Sequence, residues 1–216
     1  MEAVVVLAGE LVTGIRIKSV LDRADVVIAA DGGAANLQHA GVVPDVLIGD
    51  LDSVPEVLLD GLGETIREIC RLPSRKDQTD AELALAAALA RGATDITVLG
   101  ALGGPRIDHE MANMLYLVGP MTDNRKVRLL TELVEVWGIK DGRRVFAAEV
   151  GDTVSIIPVS DTVSAVSTDG LEWQLEAATL TLGSARTVSN TAVSNEVSVA
   201  VGTGTVILVH HFGNSP

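Results

Sequence analysis

Acidic residues in the first half of the chain recur at one kind of position, just after a short apolar run. Asp31 follows Val26–Ala30 and precedes Gly32-Gly33. Asp50 and Asp52 follow Val46–Ile48 within Gly49-Asp50-Leu51-Asp52-Ser53. Asp77 and Asp80 lie between another apolar run and an Ala/Leu-rich stretch. Arg106 and Asp108 follow Ile96–Leu99 and the segment Gly100-Ala101-Leu102-Gly103-Gly104-Pro105. Carboxylates gathered in one place repel one another, and a divalent cation relieves that cost. Mg²⁺ takes oxygen ligands and keeps waters that substrate phosphates displace. Gly32, Gly33, Gly103 and Gly104 let backbone approach a phosphate closely, and helix N-termini offer N–H groups to the same anion. In extended geometry Asp50 and Asp52 face one side, so the pair is placed to share an ion. Taken singly, Asp80 reads as a first-turn helix acid, Asp31-Gly32 as a turn, and Lys76 and Arg106 as surface charges. Their joint recurrence at successive strand ends is what points to a site.

The elements that must position these residues follow from periodicity. Val4–Leu7, Val26–Ala30, Val46–Ile48, Ile66–Leu72 and Ile96–Leu99 are continuous apolar runs, as expected of strands covered on both faces in a parallel sheet. Between them, Arg16–Arg23, Ala34–Ala40, Pro55–Leu62 and Ala81–Arg91 read as helices, the last opened by the capping-box pattern Thr79-Asp80-Ala81-Glu82. Such alternation indicates an α/β domain. In an open parallel sheet the strand-to-helix loops emerge on one edge, where such folds bind ligands. After about residue 125 the pattern becomes Thr-, Ser- and Val-rich. Val127–Leu130, Val134–Ile139, Val145–Ala147, Val154–Val159, Thr179–Leu182, Val197–Val201 and Val206–His210 are short strand candidates separated by turn signals, which suits a β-sandwich. The organisation expected is an α/β domain over 1–124 and an all-β sandwich over 125–216.

Composition excludes several classes of function. The chain has 216 residues, of which 47% are hydrophobic but only 2% aromatic: Phe146, Phe212, Tyr116, Trp137 and Trp173. Base-stacking platforms need more aromatics than this. Sixteen Lys plus Arg against 29 Asp plus Glu give a net charge of −13, which repels nucleic acid and anionic membrane surfaces. Cys70 is the only cysteine, so neither an intrachain disulfide nor a cysteine zinc cage forms. The first apolar run lacks a basic leader and is too short for a signal peptide, and no run approaches membrane-span length. A soluble, cytoplasmic protein is expected. P-loop, dinucleotide GxGxxG, GxSxG and HExxH signatures are absent. His39, His210 and His211 read as structural or surface residues, whereas His109 sits beside Asp108 within the acidic set.

In this order and spacing the residues resemble the thiamine pyrophosphokinase family. The matching stretches are Asp31-Gly32-Gly33-Ala34 with Asn36, Pro44-Asp45, Gly49-Asp50-Leu51-Asp52-Ser53, Lys76-Asp77-Gln78-Thr79-Asp80 with Glu82, and Gly100 to His109 with Ala112-Asn113. In the second half they are Gly151-Asp152-Thr153-Val154-Ser155-Ile156-Ile157-Pro158, Gly170-Leu171-Glu172-Trp173 and Val188-Ser189-Asn190. The resemblance implies a Rossmann-like α/β domain followed by a β-sandwich, a homodimer, and transfer of a diphosphate from ATP to the hydroxyethyl oxygen of thiamine. It implies Mg²⁺ ligands at Asp50, Asp52 and Asp80, with Asp31 and Asp77 close by. Gly33, Asn36, Lys76, Gln78, Thr79, Arg106, Asp108, His109 and Asn113 resemble nucleotide- and phosphate-handling positions. Trp173, Ser189 and Asn190 resemble the family's thiamine contacts. The proton acceptor stays open among Asp31, Asp77 and Asp108. Pro105 is one residue more than the family's usual spacing to the arginine, and Ser194-Asn195 repeats the Ser-Asn pair. A metal-dependent phosphohydrolase, a pyrophosphokinase for another hydroxymethyl heterocycle, and a catalytically silent binding module are the competing readings.

Overall fold

The computed structural model of the chain describes residues 1–52, 66–73, 77–119 and 126–213. The architecture is mixed α/β and divides into two compact units, Met1–Tyr116 with Asn124–Glu132, and Leu117–Asp123 with Leu133–Pro216.

The first unit contains β1 (Glu2–Val6), β2 (Val26–Ala30), β3 (Val46–Gly49), β4 (Glu68–Arg71), β5 (Asp95–Leu99) and β6 (Lys126–Leu130). Its helices are α1 (Ile15–Arg23), α2 (Gly33–His39), α3 (Asp80–Ala90) and α4 (Ile107–Tyr116). The strands pair in the order β6-β5-β1-β2-β3-β4, every pair parallel. β2 and β3 are buried along their whole length, as unbroken Val/Ile/Leu/Ala runs demand of strands covered on both faces. Strand order reverses at β1, which pairs β2 on one side and β5 on the other, the position at which open α/β sheets form a ligand crevice.

Two expectations need correction. The strand over Val127–Leu130, read with the antiparallel half, pairs in parallel with β5 instead, because its apolar run suits a doubly covered position. α4 was not anticipated, although Ile107, Met111 and Leu115 recur at helical spacing. The helix read over Pro55–Leu62 lies outside the described residues.

α1 starts after Gly14, which has no side chain to cap it. The Glu132 carboxylate does so from the far end of the unit, accepting from Ile17 N at 2.8 Å and Arg16 N at 3.4 Å. A Cβ on Gly14 would fall 2.5 Å from that carboxylate, so the glycine is what admits the cap. Replacing Glu132 with Ala is expected to cost about 1 kcal/mol, the usual loss for an N-cap. In a chain of this size that lowers the melting temperature by roughly 2–4 °C. An unchanged thermal melt would mean that solvent caps the helix equally well.

The second unit contains β7 (Val134–Lys140), β8 (Arg143–Ala147), β9 (Thr153–Pro158), β10 (Thr162–Asp169), β11 (Ala178–Thr181), β12 (Asn190–Thr191), β13 (Glu196–Ala200) and β14 (Thr205–His211). One antiparallel sheet runs β12-β9-β14-β7 and the other β11-β10-β13-β8. Trp137, Ile156 and Leu208 from the first meet Val163, Leu180, Val197 and Val199 from the second in one apolar core. β10 escaped sequence reading because Ala165 adopts φ 53° and the register shifts between Val163 and Val166. That bulge breaks the two-residue alternation on which recognition depends.

Candidate active site

The loops after β1, β2 and β5 and the start of α3 enclose a cavity of about 450 Å³, with Asp31, Asp80, Arg106 and His109 in its wall. Asp31 caps β2 in the left-handed region, φ 45°, and Leu51 between the next two acids has φ 65°. Leu51 is buried. Asp50 and Asp52 therefore converge through a left-handed turn and not along the extended strand that i, i+2 spacing suggests. Oxygens of Asp31, Asp50 and Asp52 all lie within 4.8 Å of one another. Non-glycine residues in this region cost of order 1–3 kcal/mol and concentrate at functional sites.

The electrostatics match that crowding. The Asp52 carboxyl is held above its ordinary range by its hydrogen bond to Asp50 and by repulsion from Asp50, with burial, Asp31 and Asp80 adding to the effect. Asp80, expected beside Asp50 and Asp52, lies outside the close trio. It opens α3, whose N-cap is the anticipated capping box: Thr79 Oγ1 accepts from Glu82 N at 3.2 Å, and Glu82 Oε2 accepts from Thr79 N at 3.0 Å. The Thr79 hydroxyl also lies 3.1 Å from the Tyr116 hydroxyl. Asp77 and Gln78 are exposed just before the helix. Lys76 lies outside the described residues.

Several of the expected ligand positions also brace the loops. Asn36 Nδ2 donates to both Leu7 O and Gly9 O at 2.8 Å, and Asn113 Nδ2 donates to Ala101 O at 2.9 Å. Those amides fix the loops that wall the cavity. A Cβ on Gly33 would meet Val6 O at 2.0 Å, so this glycine lets α2 lie against β1. Gly9 N donates to Gly100 O at 2.9 Å, and a side chain on either glycine would collide with the other loop's backbone. Arg106 is exposed and grips Asp108 with two hydrogen bonds, 2.9 Å from Nε and 2.5 Å from Nη2. The guanidinium holds the Asp108 carboxyl down to about 2. His109 is exposed.

In the second unit Trp173 is 63% exposed, Ser189 is exposed, and Asn190 is buried. The Asn190 amide is turned toward the Trp173 backbone. The alternative pair Ser194-Asn195 leads into β13, Ser194 Oγ accepting from Glu196 N at 3.3 Å.

A family model described as "Thiamin pyrophosphokinase, catalytic domain" matches residues 17–129, and one described as "Thiamin pyrophosphokinase, vitamin B1 binding domain" matches residues 144–206. The chain belongs to the thiamin pyrophosphokinase family. It is 27% identical over 183 residues to thiamine pyrophosphokinase of Bacillus subtilis, covering 84% of this chain and 85% of that one. It is also 27% identical over 220 residues to thiamine pyrophosphokinase 3 of Oryza sativa, covering 88% and 81%. The crystal structure of the Bacillus subtilis thiamine pyrophosphokinase superposes with a TM-score of 0.87 at 25% identity, covering 98% of this chain and 99% of that one. That of Geobacillus thermodenitrificans gives 0.84 at 25% identity, covering 100% and 99%.

As a thiamin pyrophosphokinase family member the chain is an enzyme, and one structural contributor escaped sequence reading. Glu110 Oε1 accepts from Gly104 N at 2.9 Å and thereby holds the glycine-rich loop down on the first turn of α4. Its place four residues after Arg106 was a usable signal once α4 was recognised.

Proposed function

We propose that the chain transfers a diphosphate group from ATP to the hydroxyethyl group of thiamine, giving thiamine diphosphate and AMP. The observation that carries this reading is the convergence of Asp31, Asp50 and Asp52 beside a cavity of about 450 Å³ in a chain whose two halves both match the family. The thiamine oxygen attacks the β-phosphorus of ATP, the bond from that phosphorus to the α,β-bridging oxygen breaks, and AMP departs. Such a transfer needs positioning and charge neutralisation more than covalent help.

The donor set fits Mg²⁺: anionic, oxygen-only and crowded enough that the Asp52 carboxyl is held above its ordinary range. Asp50 and Asp52, joined by Asp31 and by Asp80 at the start of α3, would hold it, and the ion when bound offsets phosphate charge. Arg106, with Lys76, offsets charge on the transferred and leaving oxygens. Asp77, Gln78, Thr79 and His109 line the nucleotide's approach. Asp108, bound to a guanidinium, is the weakest of the three proton acceptors considered, which favours Asp31 or Asp77 for the hydroxyl proton. Trp173 offers an aromatic face to the cationic thiazolium, and Ser189 offers a polar contact beside it.

This reading makes the first unit a Rossmann-like catalytic domain and the second a thiamine-binding and dimerisation sandwich, the boundary expected at 124/125 falling after β6 instead. It also takes the protein to be a cytoplasmic homodimer. Support for a dimer contact through the sandwich comes from its exposed apolar side chains, Val150, Leu182 and Val193 at 66%, 58% and 51% exposure. No helix among the described residues is long and apolar enough to cross a membrane.

The test is incubation of the purified protein with ATP, Mg²⁺ and thiamine, followed by chromatography of nucleotides and thiamine esters. Equal amounts of AMP and thiamine diphosphate, formed only when thiamine is present, are expected. ADP with thiamine monophosphate would replace the reading with γ-phosphoryl transfer, and thiamine-independent phosphate release with hydrolysis.

A further inference from the structure

We propose that Asn190 is a positioning residue that presents Trp173, and that Ser189 alone of the Ser-Asn pair faces the substrate. The inference rests on the thiamine-binding reading of this unit and corrects its expected contact at Asn190.

Trp173 sits at the crest of a short loop after β10. Leu171 and Leu175 on either side are buried at 1% and 8% exposure, whereas the indole stands 63% exposed. The loop is pinned at both shoulders: Glu172 N donates to Thr191 O at 2.9 Å, and Leu175 N donates to Thr168 Oγ1 at 2.8 Å. At the crest one amide does the rest. Asn190 Oδ1 accepts from Trp173 N at 3.1 Å, and Asn190 Nδ2 donates to Trp173 O at 2.8 Å. The same Oδ1 accepts from Thr191 N at 2.9 Å, which fills its two lone pairs. The oxygen and one N–H of that amide are therefore committed to backbone.

Ser189 behaves oppositely. It is exposed, it sits in the left-handed region at φ 59°, and its N–H donates to Ser155 Oγ at 3.0 Å. The left-handed residue turns the chain so that two adjacent side chains part, one inward to the Trp173 backbone and one outward. A large apolar ring left in water gains nothing for folding. Fixing its backbone beforehand lowers the ordering cost when a flat cation stacks on it.

The experiment combines steady-state kinetics with fluorescence anisotropy decay of Asn190→Ala, Asn190→Asp, Trp173→Ala and the double variant Asn190→Ala/Trp173→Ala. Losing both hydrogen bonds to the Trp173 backbone predicts that Asn190→Ala raises KM for thiamine about tenfold. KM for ATP should hardly move, while the melting temperature should fall by a few degrees as the buried hydrogen bonds are lost. Asn190→Asp keeps the acceptor and loses the donor, so it should fall between Asn190→Ala and wild type. In the Trp173→Ala background, Asn190→Ala should add less than about twofold, since contacting residues are non-additive. A full, additive penalty in that background would overturn the proposal in favour of direct contact, and a parallel rise in both KM values would overturn it in favour of a general structural role. The anisotropy decay needs no substrate. Asn190→Ala should enlarge the fast component from Trp173 while buried Trp137 contributes equally to both proteins. An unchanged decay would overturn positioning even if the wild type made thiamine diphosphate. A wild type that made none, with the decay altered as expected, would instead sink the functional reading and leave the positioning intact.

Discussion

Asn at position 50 or 52 is expected to lower diphosphate transfer by about three orders of magnitude while leaving the fold intact. The estimate follows from the several kcal/mol of charge stabilisation a divalent ion supplies, at 1.36 kcal/mol per tenfold in rate. Crowding sets the direction of the stability effect. The Asp52 carboxyl is held above its ordinary range by Asp50 first, then by burial, Asp31 and Asp80. An acid whose folded pKa is raised opposes folding once pH rises through its unfolded value, so at neutral pH the ionised Asp52 subtracts from stability. Removing one charge should leave the melting temperature unchanged or slightly higher. Loss of turnover with undiminished stability is the signature of a site kept for function. The converse result, a lower melting temperature with turnover preserved, would mean that the acids merely shape the turn around Leu51. Added Mg²⁺ separates the two further. In wild type, turnover should saturate with the ion, and in the variants saturation should move to higher concentration.

The contrast between Asp50 and Asn36 shows what the sequence could and could not deliver. Unbroken apolar runs made β2 and β3 legible, and the Thr79–Glu82 spacing made the start of α3 legible, because both are local consequences of side-chain type. The acids were legible as a group for the same reason, since each follows its strand directly. Direction was not. Asn36, Asn113 and Asn190 are chemically able to face a ligand, yet all three amides bind backbone brought close only by the fold. The Glu132 cap joins residues 115 apart in sequence, and no window along the chain contains it. β12, at two residues, is too short for any periodicity, and β10 conceals its own behind a bulge. The parallel placement of β6 depended on its neighbour β5, which strand pattern alone does not reveal.

His210 provides the other large effect, and its chemistry is one of folding. From sequence alone it reads as a structural or surface residue; in the fold it is buried, with partners the sequence does not identify. The imidazole is 1% exposed, with Nδ1 3.1 Å from Glu135 Oε1 and Nε2 2.7 Å from Asp152 Oδ2. Phe146 and Phe212 flank the ring at 5.0 and 4.7 Å between centroids. A neutral imidazole donates through one nitrogen only, so satisfying both carboxylates requires the protonated ring. Burial pushes its pKa down, but hydrogen bonds and attraction from Glu135 and Asp152 outweigh that and raise it above its ordinary 6.5. For Asp152, burial pushes up, and hydrogen bonds from Glu149 N, His210 and Gly213 N carry it below its ordinary 3.8. The stability that His210 contributes is therefore complete below about 6.5 and is lost as pH rises through its folded value. That of Asp152 is complete above 3.8 and is lost as pH falls through its folded value. Between those limits the cluster holds the end of β14 to β7 and to the turn before β9 at full strength. Replacing His210 with Gln leaves two buried carboxylates facing one another without a cation, and should cost about 3–5 kcal/mol, the range for breaking a buried pair. Urea denaturation at pH 5.5, 7 and 8.5 is the measurement. Wild type should lose stability toward the alkaline end, and the variant should be less stable throughout, without that alkaline loss from His210. A variant as stable as wild type at pH 5.5 would show that the two carboxylates take up a proton when the ring is gone, and that the imidazolium is not what fastens β14.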